Sequence, residues 1–201
     1  MLPLPGLGIT VTPESRQTTY LLNALAAVKG GKFITTTSGG QPDPTASGDV
    51  VNRTPPSDGH IASAGNLLAL ALDGATDAFG NPWHKSNVRS GDTFSPTVQF
   101  GGSVKVRRVT VYSTKANWDP QQPLTRAQFD LTNPLYARTY TCAPYQACND
   151  EIPVGLVASE PISIGFNLPQ RPVGHHVLLM EIDHPDTTDA TYQVIDLNYI
   201  G

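Results

Sequence analysis

The residues with the clearest chemical potential lie in and just after the stretch 71–86, "ALDGATDAFGNPWHKS". Trp83 and His84 follow an Asp-Gly turn and precede a strand rich in valine, where they could serve recognition, catalysis or packing. The residues after them add hydrogen-bonding groups to the aromatic ring, the combination that a site for a polar ligand requires. A loop whose side chains are simply solvated is the alternative. The predicted ligand-binding residues are Trp83, His84, Lys85, Asn87 and Arg89.

The histidines further along the chain do not form a recognisable catalytic set. Neighbouring residues of a strand point to opposite faces, so His175 and His176 cannot both bind one ion without distortion. His184 is followed by proline and is predicted to lie in a turn. The sequence has no His-x-x-x-His pattern, no Gly-x-Ser-x-Gly pattern and no phosphate-binding loop. We therefore expect a protein that is not an enzyme.

Composition excludes several classes of partner. Charged residues make up 15% of the chain and the net charge is −4, with no cluster of Lys and Arg, so nucleic-acid binding is not expected. The longest apolar run, "YLLNALAAV", is shorter than the roughly 20 residues of a membrane-spanning helix. The start, "MLPLPGLGIT", lacks a basic region and a small-residue cleavage site, which predicts an unprocessed N-terminus and no Sec-type export.

The two cysteines, Cys142 and Cys148, lie close together in "TCAPYQACND". A disulfide could close this small loop if the turn brings the two Cα atoms together. Two reduced thiols are the favoured alternative, because no signal peptide is recognised. A metal site would need more ligands than this pair supplies.

The first 45 residues are predicted to form an arm, an amphipathic helix and a linker. In "VTPESRQTTYLLNALAAVKGG" the expected helix covers about 13–29, with Thr12 as N-cap, Pro13 in the first turn and a Gly-Gly stop. Its apolar positions are Leu21, Leu25 and Val28. The stretch "TTTSGGQPDPTASGD" is typical of a linker. We therefore divide the chain into a docking segment, 1–45, and a β domain, 46–201.

Beyond residue 50 the pattern predicts short strands separated by turn residues, which is typical of an antiparallel β-sandwich. The apolar phase slips at Arg107-Arg108, as a β-bulge would cause. "NLLALAL" could instead be a short helix. The strand candidates are "NLLALAL", "TVQF", "VKVRRVTVY", "RAQFDL", "PISIGFNL", "HHVLLMEI" and "YQVIDLNYI".

The order of these segments resembles the galactose-binding-like, discoidin-type domain family. That family has an Ala-x-Asp-Gly loop, a tryptophan, a strand with a small turn, and a Val-x-x-Val-x-Val-Tyr strand, and the last two strands are similar too. The resemblance covers about 63–201, although 115–160 does not match well. It implies a mainly-β, antiparallel jelly-roll β-sandwich of the galactose-binding-like type, here preceded by the N-terminal arm and amphipathic helix. The matching stretches are "ALDGATDAFGNPWHKS", "TVQFGG", "SVKVRRVTVYST", "HHVLLMEID" and "YQVIDLNYIG".

The resemblance also implies roles for individual residues. It favours Trp83 as a core anchor beneath the binding loops over a platform for a sugar ring. It implies a structural calcium ion held by Asp73, Asp77 and Asp196 together with loop carbonyls, since calcium takes six to eight oxygen ligands. In the alternative, Asp73 hydrogen-bonds only its own turn, as Asp before Gly often does.

Two functions are compatible with these features. The first is a non-enzymatic structural or adhesion protein of a virus particle, a bacteriophage tail or head accessory protein. It is expected to bind other virion proteins and to form a homo-oligomer through its N-terminal arm and helix, and it could display the sandwich to a cell-surface glycan. The missing export signal and the Thr- and Pro-rich composition motivate this hypothesis. The alternative is a free, extracellular, lectin-like carbohydrate-binding module.

Overall fold

The structure is a computed structural model that describes residues 9–20, 28–43, 50–100, 104–140, 156–158, 161–185 and 187–201. The helical elements are α1 (Arg16–Tyr20) and two 3₁₀ helices, Leu67–Asp73 and Arg126–Gln128. The strands are β1 (Ile9–Thr12), β2 (Lys29–Gly31), β3 (Lys85–Val88), β4 (Thr93–Phe94), β5 (Thr97–Phe100), β6 (Val104–Val106), β7 (Arg108–Ser113), β8 (Tyr136–Thr139), β9 (Leu156–Ala158), β10 (Ile162–Ser163), β11 (Phe166–Asn167), β12 (Gly174–Asp183) and β13 (Asp189–Tyr199).

The strands form a mainly-β sandwich. The larger sheet has the order β2-β13-β12-β7-β8, and β3 adds a parallel pairing to β13. A three-stranded antiparallel sheet, β1-β5-β10, and the pairs β4-β11 and β6-β9 complete the described strands. The expectation of an antiparallel, mainly-β sandwich with few helices is confirmed. The galactose-binding-like jelly roll is not.

The larger sheet is buried on both faces, which explains why its longest strands are almost continuously apolar in sequence. Leu178 and Met180 of β12 belong to a core shared with the three-stranded sheet. Val177 and Leu179, which alternate with them, face a second core that contains Trp83. Side chains on both faces of β12 and β13 are therefore positioned by dense packing, and polar groups among them need internal partners.

The helix predicted over 13–29 is confirmed only for α1, and the segment 21–27, with Leu21 and Leu25, lies outside the described residues. Thr12 belongs to β1, so it is not the N-cap. The hydroxyl of Ser15 accepts a hydrogen bond from the Thr18 amide at 3.0 Å and caps the helix instead.

Gly30 and Gly31 do not end a helix but belong to β2. A Cβ atom on Gly31 would lie 1.8 Å from the carbonyl oxygen of Arg53. Glycine is required here because two backbone segments approach closely. The glycine pair therefore marks tight packing against residues 53–56 rather than a helix stop.

Two further segments differ from the strand prediction. "NLLALAL" forms the first 3₁₀ helix, and "RAQFDL" contains the second one rather than a strand. The interruption predicted at Arg107-Arg108 is present, since β6 ends at Val106 and β7 begins at Arg108. Within the described residues, no helix is long and apolar enough to cross a membrane.

The described residues of the N-terminal segment belong to the sandwich. β1 pairs with β5, and β2 pairs with β13. Gln17 of α1 is buried; its amide nitrogen donates to the Ala62 carbonyl at 2.8 Å and its amide oxygen accepts from the Val194 amide at 2.7 Å. The boundary near residue 45 stays a prediction.

Candidate functional site

A cavity of about 340 Å³, lined by both polar and apolar residues, opens where β3, β12 and α1 meet two loops. Lys85 is the first residue of β3 and lies opposite Asp196 in the parallel strand register. His175 is the second residue of β12. Both strands flank β13, which brings the two side chains to the same end of the sheet. The remaining lining comes from Arg16, from 73–75 at the end of the first 3₁₀ helix, and from Trp118 and 120–124 after β7.

Arg16, a residue of the cavity lining, forms a buried ion pair with Asp196. The Nε of Arg16 lies 2.7 Å from Oδ2 of Asp196, and its Nη2 lies 2.8 Å from Oδ1. Nη1 of Arg16 donates to the carbonyls of Leu72 at 3.0 Å and Gly74 at 3.3 Å. This two-point geometry fixes both side chains and ties α1 to the last strand.

Asp196 also holds the His175 ring. Nε2 of His175 lies 2.7 Å from Oδ1 of Asp196. Burial raises the pKa of Asp196, but hydrogen bonds from Arg16 and His175 outweigh burial and keep this pKa below its ordinary value. An ionised carboxylate only accepts hydrogen bonds, so the proton of this contact sits on Nε2 of His175, and Nδ1 is the acceptor nitrogen of the neutral ring.

Trp118 supports His175 from the side. The two rings meet edge-on with centroids 5.1 Å apart, and the indole Nε1 donates to the His175 carbonyl at 2.7 Å. The Trp118 side chain is buried. His175 is therefore held by a carboxylate and an aromatic edge, while its ring still reaches the cavity surface.

Several polar groups of the lining have no protein partner within the described chain. They are the ammonium of Lys85, Nδ1 of His175 and the side-chain amides of Gln121 and Gln122. Apolar surface lies between them at Ala75 and at two prolines of the 120–124 loop. The arrangement offers donors, acceptors and small apolar patches to one small ligand.

The five predicted ligand-binding residues do not lie together in the structure. Trp83 is buried, and its Nε1 donates to the Gly74 carbonyl at 2.8 Å, so its ring is not presented to solvent. Lys85 lines the cavity, whereas His84 is exposed elsewhere on the loop. Asn87 accepts a hydrogen bond from Asn198 at 2.8 Å, and Arg89 donates to the Gly201 carbonyl at 3.3 Å. Only Lys85 of this set reaches the cavity.

The three carboxylates predicted to hold calcium have separate partners. Asp73 accepts from the Ser63 amide at 2.9 Å and lies 3.2 Å from Nδ1 of His60. Asp77 closes its own turn by accepting from the amides of Phe79 and Asn81, and Asp196 binds Arg16 and His175. No group of three or more His, Cys, Asp or Glu side chains in the described segments is arranged to hold a metal. A calcium site has no geometric support here.

Sequence reasoning missed Arg16 and Trp118. Arg16 stood in the polar first turn of a predicted surface helix, and hydropathy alone does not reveal a buried arginine with a carboxylate partner about 180 residues away. Trp118 offered a better signal, since "ANWDPQQPL" places a tryptophan in a proline-containing loop between strands. Cys142 and Cys148 lie outside the described residues.

Comparison with known proteins identifies the family. A family described as lytic polysaccharide mono-oxygenase, cellulose-degrading, matches residues 8–197. The chain belongs to this family. GlcNAc-binding protein A of Vibrio campbellii is 33% identical over 167 residues, which cover 80% of this chain and 29% of that protein. The chain thus spans less than a third of this curated relative.

Solved structures agree with the family assignment. A chitin-binding domain from Burkholderia pseudomallei is 37% identical, with a TM-score of 0.81 over 96% of this chain and 99% of that domain. An AA10 lytic polysaccharide monooxygenase from Streptomyces lividans is 24% identical, with a TM-score of 0.72 over 94% of this chain and 99% of that one. At this lower identity the second comparison shows the shared fold alone.

Membership of the mono-oxygenase family corrects several expectations. The resemblance to a discoidin-type domain in a bacteriophage protein is wrong, and so are the virion partners and the virus-particle function. The expectation that the protein is not an enzyme is also wrong, because the family that matches is described as lytic polysaccharide mono-oxygenase. Asp-Gly turns and valine-rich strands recur in many antiparallel sandwiches, so their order did not distinguish the two families.

Copper, the metal of this family, does not fit the described side chains. Imidazole is a good ligand for copper, and all five histidines lie in described segments. His184 engages the Lys105 carbonyl through Nδ1 and Thr191 through Nε2. His176 contacts Thr114, His175 contacts Asp196, and His60 contacts Asp73. The five histidines therefore do not form a set of metal ligands within the described residues.

Proposed function

We propose that this protein binds an insoluble β-1,4-linked polysaccharide of N-acetylglucosamine. The observation that carries this proposal is the 37% identity to a chitin-binding domain, which extends over 96% of the chain with a TM-score of 0.81. The GlcNAc-binding relatives support the same class of polymer. The alternative function considered from the sequence, carbohydrate binding, fits these relatives far better than a structural role in a virion.

The surface chemistry of the chain suits an uncharged polymer. Charged residues make up only 15% of the sequence and the net charge is −4. Long-range attraction to a charged polymer such as nucleic acid would require a strong field of the opposite sign. Because an insoluble polysaccharide is encountered outside cells, we infer an extracellular location, in agreement with the alternative considered from the sequence.

Binding is tested by co-sedimentation with three polymers that share the β-1,4 backbone. Chitin, chitosan and cellulose differ at C2, where they carry an acetamido group, an amine and a hydroxyl. We expect the protein to leave the supernatant with chitin and to remain largely soluble with the other two. Equal depletion by all three polymers would show that the acetamido group is not recognised, and no depletion by chitin would refute the proposal.

A further inference from the structure

We propose that the cavity between Lys85, His175 and the 118–124 loop binds one uncharged pyranose unit at the end of a β-1,4-linked glycan. This inference rests on the proposed polysaccharide binding and adds a pocket for a chain end. A volume of about 340 Å³ lies at the lower end of the range of roughly 300–1,000 Å³ that small-molecule sites occupy. The cavity can therefore hold a terminal sugar but not a long segment of polymer.

The charges around the cavity argue for an uncharged ligand. Arg16 is neutralised by Asp196 in a two-point ion pair. Asp73 is the carboxylate of the lining, and its charge offsets that of Lys85. With Asp196 counted beside its partner Arg16, the two cations and the two carboxylates cancel in formal charge. An anionic ligand would have to compete with two carboxylates that are already in place.

The free hydrogen-bonding groups match sugar hydroxyls, which both donate and accept. Among the described side chains, the Lys85 ammonium and the amides of Gln121 and Gln122 have no protein partner and can donate. The amide oxygens and Nδ1 of His175 can accept. Asp196 fixes the His175 ring, so this acceptor is oriented before a ligand arrives. Preorganised groups of this kind lower the entropy lost on binding.

The apolar part of the lining matches the C–H faces of a pyranose ring. Pro120, Pro123 and Ala75 present small, rigid surfaces, and the largely buried side chains of Leu124 and Trp118 also contribute to the lining. Rigid walls with a few convergent polar groups are typical of small-ligand sites. A wall built from prolines loses little conformational freedom when a ligand packs against it.

The two tryptophan indoles provide a direct probe of the cavity. The Trp118 indole donates to the carbonyl of His175, and the Trp83 indole donates to the carbonyl of Gly74. Both acceptor residues line the cavity. Titration of the ¹⁵N-labelled full chain with N,N′-diacetylchitobiose should shift both indole N–H signals in a saturable manner.

Two matched substitutions separate cavity binding from binding elsewhere. Ala75→Phe places a ring in the cavity, whereas Ala78→Phe adds the same ring at an exposed position of the same turn that does not line the cavity. We expect Ala75→Phe to weaken disaccharide binding at least roughly tenfold and Ala78→Phe to leave it unchanged. Wild-type folding of both variants is checked by their amide spectra.

The outcomes distinguish this inference from the proposed function. Sedimentation with chitin combined with unmoved indole signals would refute the cavity site and leave polymer binding intact. Shifted indole signals without chitin sedimentation would refute polymer binding and support the cavity site. Equal disaccharide affinity in the two phenylalanine variants, or indole shifts caused by inorganic phosphate instead of the disaccharide, would overturn the inference.

Discussion

Arg16 and Asp196, 180 residues apart in the chain, form a two-point ion pair with N–O distances of 2.7 and 2.8 Å. Both side chains are almost completely buried, at 5% and 1% exposure. The pair joins α1 to β13, the strand that lies next to β2, β3 and β12. It therefore fixes the N-terminal segment to the centre of the sandwich, and Asp196 holds two residues of the cavity lining, Arg16 and His175.

Removal of the arginine should destabilise the whole protein. Arg16→Met leaves the carboxylate of Asp196 buried with only His175 as a partner, and breaking a buried pair in this way costs about 3–5 kcal/mol. The free energy of unfolding in urea, measured by tryptophan fluorescence, tests this prediction. Because β1 and β2 flank α1 in the chain, we expect the lost stability to appear in a single cooperative unfolding transition.

Arg53→Met is the matched control for the buried pair. Arg53 pairs with Asp189 on the same strand, β13, at 3.0 Å, but its side chain is 52% exposed. Exposed ion pairs contribute about 0–1 kcal/mol. Equal losses in the two variants, or a change below about 1 kcal/mol in Arg16→Met, would contradict a structural role for the buried pair.

How well the sequence predicts an element of the fold depends on whether the residues that stabilise it lie next to it in the chain or far from it. Alternating and continuous apolar patterns predicted β5, β12 and β13, and the phase slip predicted the interruption at Arg107, because these signals are local. The capping hydroxyl of Ser15 also donates to Gln193 at 2.6 Å, and the 3₁₀ helix at Arg126–Gln128 is tied to Asp58 through the Arg126 amide at 2.8 Å. Local propensity is weak at such positions, and tertiary contacts decide the outcome.

The candidate site was even less accessible to sequence reasoning. Lys85 was found because it follows an aromatic residue on a predicted loop. The pairing of Arg16, Asp196 and His175 joins three distant parts of the chain, and no spacing rule connects them. Asp196 was singled out for calcium, whereas an arginine supplies the positive charge beside it. A carboxylate between inward-facing apolar residues predicts a cationic partner but not which one.

His176 should make the protein sensitive to acid. Burial, followed by the positive charge of Arg171, lowers the pKa of His176 to about 4. In the unfolded chain its pKa is about 6.5, so between about pH 6.5 and pH 4 the unfolded state binds the proton more tightly and stability falls as the pH falls. His184, whose pKa is lowered chiefly by burial, adds to the effect. His176→Asn should therefore reduce part of this loss.

The test compares the free energy of unfolding at neutral pH and at about pH 4.5. His84→Asn is the control, because His84 is exposed and has no protein partner among the described residues. We expect the control to keep the wild-type pH dependence. An unchanged pH dependence in His176→Asn would show that His176 does not remain neutral in the folded state.

Glu181 should have the opposite effect, at higher pH. Complete burial, followed by the charge of Asp183, raises the pKa of Glu181 to about 8, although Arg108 and the amides of Phe33 and Ile34 oppose this shift. Its unfolded pKa is near 4.3, so between about pH 4.3 and pH 8 the folded state binds the proton more tightly and stability falls as the pH rises. Glu181→Gln removes this titration and keeps an oxygen that can accept from the Phe33 and Ile34 amides.

Thermal unfolding at about pH 6 and pH 8.5 measures this difference. We expect Glu181→Gln to lose less stability over this interval than the wild type. Glu14→Gln, at an exposed glutamate, should behave as the wild type does. A wild-type protein that becomes more stable as the pH rises over this interval would contradict the raised pKa of Glu181.

Trp83 provides the last prediction, because two substitutions separate the ring from its N–H group. Trp83→Ala removes a buried ring over which the Arg16 guanidinium lies at 5.3 Å, and large aromatic deletions of this kind cost about 3–5 kcal/mol. Trp83→Phe keeps an aromatic ring and removes the hydrogen bond to the Gly74 carbonyl, which still accepts from Arg16. The second change should therefore cost only about 1 kcal/mol. Urea unfolding gives both values, and chitin sedimentation of Trp83→Phe should equal that of the wild type. A stable Trp83→Ala variant that no longer binds chitin would show that the ring contacts the polymer directly, contrary to its buried position.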